Sequence, residues 1–110
     1  MIELHLVLKV TPGKTRSMID ALQALAKNAG AAPGCMAVEV YKAVGERGSI
    51  CYDEIWESET VLRNMIVSRH FSQLASLMEL SYEPPDCQFR FISKTLGLEF
   101  AEQVRGYPRD

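Results

Sequence analysis

Met36-Ala37-Val38-Glu39-Val40-Tyr41-Lys42-Ala43, then Gly45-Glu46-Arg47-Gly48, then Ser49-Ile50-Cys51-Tyr52-Asp53-Glu54-Ile55-Trp56-Glu57 is the stretch whose reading decides the fold. In its first half Met36, Val38 and Val40 share one parity and Ala37, Glu39 and Tyr41 the other. In its second half Ile50, Tyr52, Glu54 and Trp56 oppose Cys51, Asp53 and Ile55. Period two is the signature of a strand, and a short Gly-flanked connection between two such runs makes them a hairpin. Upstream, Ile2 to Val10 alternates in the same way until Thr11-Pro12-Gly13 breaks it. From Lys14 onward Met18, Leu22, Leu25 and Ala29 recur at spacings of four, three and four, one stripe of an amphipathic helix that Gly30 and Pro33-Gly34 end. Downstream, Ser58 is a good N-cap with Glu59 in the first turn. Helical spacing then runs through Val61, Leu62, Met65 and Ile66. After a Ser68-Arg69-His70 junction it resumes with Phe71, Leu74, Leu77, Met78 and Leu80, and Pro84-Pro85 stops it. A last strand is expected from Gln88 to about Thr95, followed by a polar tail from Leu98 to Asp110.

The order is therefore β-α-β-β-α-β in one domain spanning 1–110, with a core at 1–96 and a tail at 97–110. That is the ferredoxin-like α+β arrangement, an antiparallel sheet with helices on one face. Both sheet faces are partly apolar: Cys51 and Ile55 oppose Tyr52 and Trp56, and Val7 opposes Leu6 and Leu8. Two helices cover one face only. A second copy is the simplest cover for the other, which predicts a homodimer closing into an α+β barrel.

The chain has 110 residues, with 12 Lys+Arg against 14 Asp+Glu for a net charge of −2, 47% hydrophobic and 24% charged. That composition supports a packed core rather than disorder. It lacks the basic footprint of a nucleic-acid binder. No apolar run approaches the ~20 residues of a membrane span, and Glu3, His5 and Lys9 interrupt any signal-like start, so the expectation is a soluble, cytoplasmic protein with neither nucleic acid nor membrane as partner. Cys35, Cys51 and Cys87 form no C-x-x-C, and two histidines, His5 and His70, give no metal-binding pattern. Gly13-Lys14-Thr15 mimics the end of a phosphate-binding loop, but Leu8 stands where that loop needs its first Gly. No metal, flavin or haem is expected as a cofactor.

Trp56-Glu57-Ser58-Glu59, a helix, and then Ser68-Arg69-His70-Phe71, together with Pro12-Gly13 and Pro33-Gly34-Cys35, resemble the antibiotic biosynthesis monooxygenase domain over residues 1 to 96. The resemblance implies a dimeric α+β barrel. The family includes quinol monooxygenases, anthrone oxygenases that use no metal or flavin, haem-degrading enzymes, and many small proteins without an assigned reaction. Trp56 matches the pocket Trp of the anthrone-oxygenase type, whereas Tyr52, Leu62 and Ser76 stand where that type has Asn, Tyr and Arg. Met65 and Ala75 occupy the places of the Trp and axial His of haem degraders. Of the two His often found in quinol-oxygenase relatives, the second is matched by His70 and the first is replaced by Met65.

Read for chemistry, Tyr52, Glu54 and Trp56 share one face, so a phenol, a carboxylate and an indole converge on one wall. Trp56 would stack on a flat ring, with Leu62, Met65 and Phe71 as apolar lining. His70, whose imidazole ordinarily titrates near neutrality, would take a proton, with Tyr52 and Glu54 as alternative catalytic groups. His5, on the parity of Glu3 and Lys9, is a barrel-lining or substrate-contacting residue. Two functions compete. One is a cofactor-independent monooxygenase acting on a quinol, phenol or anthrone-like ring. The other is a non-catalytic dimeric module that binds or senses a small ligand. Haem held by His5 and His70 is a distant third.

Overall fold

The computed structural model describes residues 1–106. Four strands, β1 (Ile2–Lys9), β2 (Cys35–Lys42), β3 (Ser49–Trp56) and β4 (Asp86–Phe91), form one sheet in the order β2-β3-β1-β4. Every neighbouring pair is antiparallel. Helix α1 (Thr15–Gly30) follows a short 3-10 turn at Pro12–Lys14; α2 (Glu59–Ile66) and α3 (Arg69–Met78) lie between β3 and β4, and α4 (Leu98–Arg105) follows β4. This is the ferredoxin-like α+β fold that the alternation predicted. No helix among the described residues is long and apolar enough to cross a membrane.

Register explains which residues become core. β1 pairs with β3 from Ile2↔Trp56 to Lys9↔Ser49, so Leu4, Leu6 and Leu8 lie beside Glu54, Tyr52 and Ile50 on the helix-covered face. The predicted stripe of α1, Met18, Leu22, Leu25 and Ala29, is buried against them. Two clusters result. The larger joins the β1 leucines to α1, Tyr52 and Leu74, and the smaller gathers Ile2, Ala29, Trp56, Leu62 and Met65. At the head of α2 the Ser58 hydroxyl accepts from the Val61 amide at 3.3 Å, the N-cap read from the sequence.

Four expectations need correction. Met36 does not share the inward face of Val38 and Val40: a β-bulge between Cys35 and Ala37 re-aims it, leaving it 57% exposed. The two helical stretches after β3 form as read, but the junction between them is Val67 and Ser68, and His70 lies in the first turn of α3 rather than in the junction. The polar tail contains a helix, α4; its last four residues, 107–110, lie outside the described residues. The fourth strand also runs earlier than expected, ending at Phe91 instead of Thr95.

Candidate functional site

Strand β3 carries the site. Its inward side chains Tyr52, Glu54 and Trp56 follow one another at alternate positions, and all three are buried, Glu54 completely. A carboxylate under a helix layer needs donors from its surroundings. Glu54 has three. The Tyr52 hydroxyl donates to Oε2, the Trp56 indole N–H donates to Oε1 at 2.9 Å, and His70 Nε2 lies 2.5 Å from Oε2. A carboxylate only accepts, so the contact with Glu54 calls for a proton on His70 Nε2, and in the neutral imidazole that tautomer has its lone pair on Nδ1. Nδ1 is buried and has no hydrogen-bond partner.

The Tyr52 phenol is pushed well above its ordinary range, first by burial, then by the Glu54 charge and the hydrogen bond to it. It is thus a fixed donor, not a base. Burial, with a smaller push from Glu54, also raises the Cys35 thiol beside Trp56.

Beside this network opens a cavity of about 410 Å³, lined by the end of α1 and its turn (Asn28, Ala29, Ala32, Pro33), by Trp56, by Val61, Asn64 and Met65 of α2, and by Ser68 and His70. Its size suits a one- or two-ring molecule. The walls are mostly apolar, with two amides and a hydroxyl among them, and no lysine or arginine lines it. The turn is shaped by Gly34, whose φ of +85° suits glycine, and a Cβ there would come within 2.6 Å of Val61 Cγ1. Gly34 therefore lets the α1–β2 turn approach α2 closely enough to share a wall.

Of the candidates read from the sequence, Tyr52, Glu54, Trp56 and His70 come together, and Met65 lines the cavity. Leu62 and Phe71 pack behind it, in or against the cluster that holds Trp56. His5 does not join them. It sits on the open face of the sheet, 2.5 Å from Asp53 Oδ1, with Tyr41 donating to the other Asp53 oxygen at 2.7 Å. Thus His5 and His70 lie on opposite faces and cannot grip one haem within a single chain. No cluster of three or more potential metal ligands occurs among the described residues. Asn28, Ala32 and Asn64 carry no signal in the sequence, and Pro33 and Ser68 are read there only as turn and junction residues; the docking of α1 on α2 is what makes them enclose a space.

The chain matches the family model described as antibiotic biosynthesis monooxygenase over residues 1–76. No curated protein matches it. Among solved structures it is similar to a candidate antibiotic biosynthesis monooxygenase from Deinococcus radiodurans at 13% identity and a TM-score of 0.78, covering 88% of this chain and 97% of that one. It is also similar to a conserved protein of Methanosarcina mazei at 21% identity, TM-score 0.72 and coverages of 80% and 88%. A third similar structure, from Bacteroides thetaiotaomicron and described as a possible oxidoreductase, has 21% identity, TM-score 0.72 and coverages of 82% and 96%. At such identities the structures speak for the fold, while the family model covers well over half of the chain. By that match, which spans the hairpin, Trp56 and His70, the chain belongs to the antibiotic biosynthesis monooxygenase family.

Proposed function

We propose that the protein is a cofactor-independent monooxygenase that oxidises a small electron-rich ring, a quinol, phenol or anthrone-like molecule, with molecular oxygen, and that it works as a homodimeric α+β barrel in the cytoplasm. One observation carries the catalytic reading: Glu54 engages His70 Nε2 in a buried pair and leaves Nδ1 without a hydrogen-bond partner, and His70 lines a ring-sized cavity walled by Trp56. A carboxylate that holds one imidazole nitrogen so that the other can take a proton is the logic of catalytic dyads and triads. Nδ1 is screened from solvent, so a substrate reaches it by filling the cavity and shifting the neighbours of the ring.

In this scheme the ring stacks on Trp56, and His70 takes the proton of a ring hydroxyl or of an activated ring CH2. The resulting anion transfers an electron to oxygen, and the radical pair joins at carbon as a peroxide anion that takes the proton back from His70 to become a hydroperoxide. Loss of water leaves a carbonyl, with one oxygen atom in the product and the other in water. The protein supplies orientation, a dry cavity and one base. Glu54 and Tyr52 are positioning groups behind His70.

The apolar Val7, Cys51 and Ile55 on the helix-free face support the dimer, and three free cysteines suit a reducing compartment. The alternative, a non-catalytic binding module, draws support from Tyr52, Leu62 and Ser76 at places where the anthrone-oxygenase type has polar pocket groups. Oxygen uptake by metal-free protein with a panel of hydroquinones and anthrones separates the two. Uptake that depends on His70 supports the oxygenase; saturable binding of these rings with no uptake supports the module.

A further inference from the structure

The Trp56 cavity has a lopsided supply of hydrogen bonds. Three polar side chains on its wall have already spent their protons. The Trp56 indole N–H and His70 Nε2 engage Glu54 at 2.9 and 2.5 Å, and the Ser68 hydroxyl donates to the Met65 carbonyl at 2.6 Å. What these side chains keep for a ligand are acceptors, the Ser68 oxygen and the Nδ1 lone pair of a neutral His70. The other polar side chains on the wall are Asn28, in the last turn of α1, and Asn64, on α2. Neither carboxamide is engaged by another group among the described residues. An amide NH2 carries two donors, so the free side-chain donors of this cavity sit at these two positions.

Exposure orders the wall. Ala29, Trp56 and Met65 are buried, Ser68 and His70 half-buried, and Asn28 and Asn64 exposed, so the donors stand at the mouth and the acceptors behind them. Charge acts in the same direction. No lysine or arginine lines the cavity, and the one buried carboxylate among the described residues, Glu54, stands behind Trp56 and His70. A carboxylate on the ligand would give up water, meet no cation and face a like charge. A neutral oxygen gives up less and is met by the two amides.

We propose that Asn28 and Asn64 are the specificity residues of this cavity, reading a neutral oxygen, carbonyl or hydroxyl, at the outer end of an uncharged ring system whose inner end presents a hydroxyl to His70. The proposal rests on the reading of the Trp56 cavity as the ring site and narrows its ligands to rings substituted at both ends. It holds whether or not the ring is then oxidised.

The test is anaerobic titration calorimetry of the full-length protein at neutral pH with four naphthalenes. 6-Acetyl-2-naphthol carries both groups, 6-isopropenyl-2-naphthol keeps its shape without the outer oxygen, 2-acetyl-6-methoxynaphthalene lacks the hydroxyl proton, and 6-hydroxy-2-naphthoate puts a charge at the outer end. The first should bind most tightly and each of the others about tenfold or more weakly, the loss expected when one partner of a hydrogen bond is missing. In the Asn28→Ala, Asn64→Ala double variant the acetyl and isopropenyl naphthols should bind alike, with the isopropenyl compound held as in the wild type, and each single variant should keep part of the preference. A loosened fold would weaken both compounds together, so the vanished preference is the signature. Equal wild-type affinities for the acetyl and isopropenyl naphthols, equal binding of the methoxy compound, a preference that survives in the double variant, or tighter binding of the carboxylate would each overturn the proposal. Failure of all four to bind removes the ring site and the proposal with it, whereas selective binding without oxygen uptake supports the proposal and removes only the oxygenase.

Discussion

A fully buried glutamate with three donors is the residue-scale feature on which the chemistry turns. Glu54 lies among leucines, and its one ionisable donor of opposite charge type is His70. Apolar side chains would pack there at no desolvation cost, and buried polar sites that break local rules are where function is sought. Replacing His70 with Ala should lower turnover of a quinol or anthrone by ~10²-fold or more. Because the change also strips a partner from Glu54, it should cost about 1–3 kcal/mol of stability. Steady-state kinetics alongside denaturant unfolding separates the two effects; full activity with lost stability would make His70 structural. Tyr52→Phe removes a donor from Glu54 and leaves the ring. A loss of about 1–3 kcal/mol is expected, with ligand affinity at the Trp56 cavity nearly unchanged, as read by unfolding and by tryptophan fluorescence titration.

Among the elements, the cavity exists because the end of α1 and the head of α2 meet through a glycine. Gly34 has a positive φ, and the Glu57 backbone N–H donates to the Gly34 carbonyl at 2.9 Å, tying the turn to the end of β3. Gly34→Ala introduces backbone strain of order 1–3 kcal/mol and a clash with Val61. The expected outcome is a lower melting temperature together with weaker ring binding, because Val61 and Pro33, which a side chain at position 34 would push apart, both line the cavity. A control at Gly45, which also has positive φ but has nothing within 4 Å of its added Cβ, should lose stability without losing binding. Calorimetry and ligand titration of both variants check the contrast.

For the whole molecule, the sheet has one face under helices and one in the open. Ile55, on the open face near the end of the interior strand β3 and beside Glu3 and Ala37, is a sensitive probe of what covers that face. Wild-type protein should sediment as a dimer at micromolar concentration, and Ile55→Lys should shift it to monomer. A wild-type monomer would remove the barrel. Alkaline stability is a second whole-molecule property. Tyr41, through its hydrogen bond to Asp53 and then burial, and Tyr52, through burial and then Glu54, are both held above the ordinary phenol value in the fold. The folded chain therefore keeps protons that the unfolded chain sheds near pH ~10. Their stabilising contribution is intact below that pH and falls as pH rises above it, so the melting temperature should drop beyond pH ~10. The drop should be shallower in Tyr52→Phe.

The sequence by itself determined the sheet and the composition of the site wall, because both depend on local periodicity. Alternation along Ser49–Trp56 puts Tyr52, Glu54 and Trp56 on one face whatever the rest of the chain does, and the stripe Met18, Leu22, Leu25, Ala29 names the buried side of α1. Tertiary structure alone decided what those groups meet. That His70 reaches Glu54 across 16 residues depends on where α3 docks, and that His5 turns to Asp53 instead depends on pairing register between β1 and β3. The bulge that exposes Met36 leaves no mark on the parity of its own strand, since it arises from the match with β3. The cavity is likewise a property of two helix ends brought together. Local pattern fixes which way a side chain points along its own element, while the partner it finds is set by packing between elements distant in the chain.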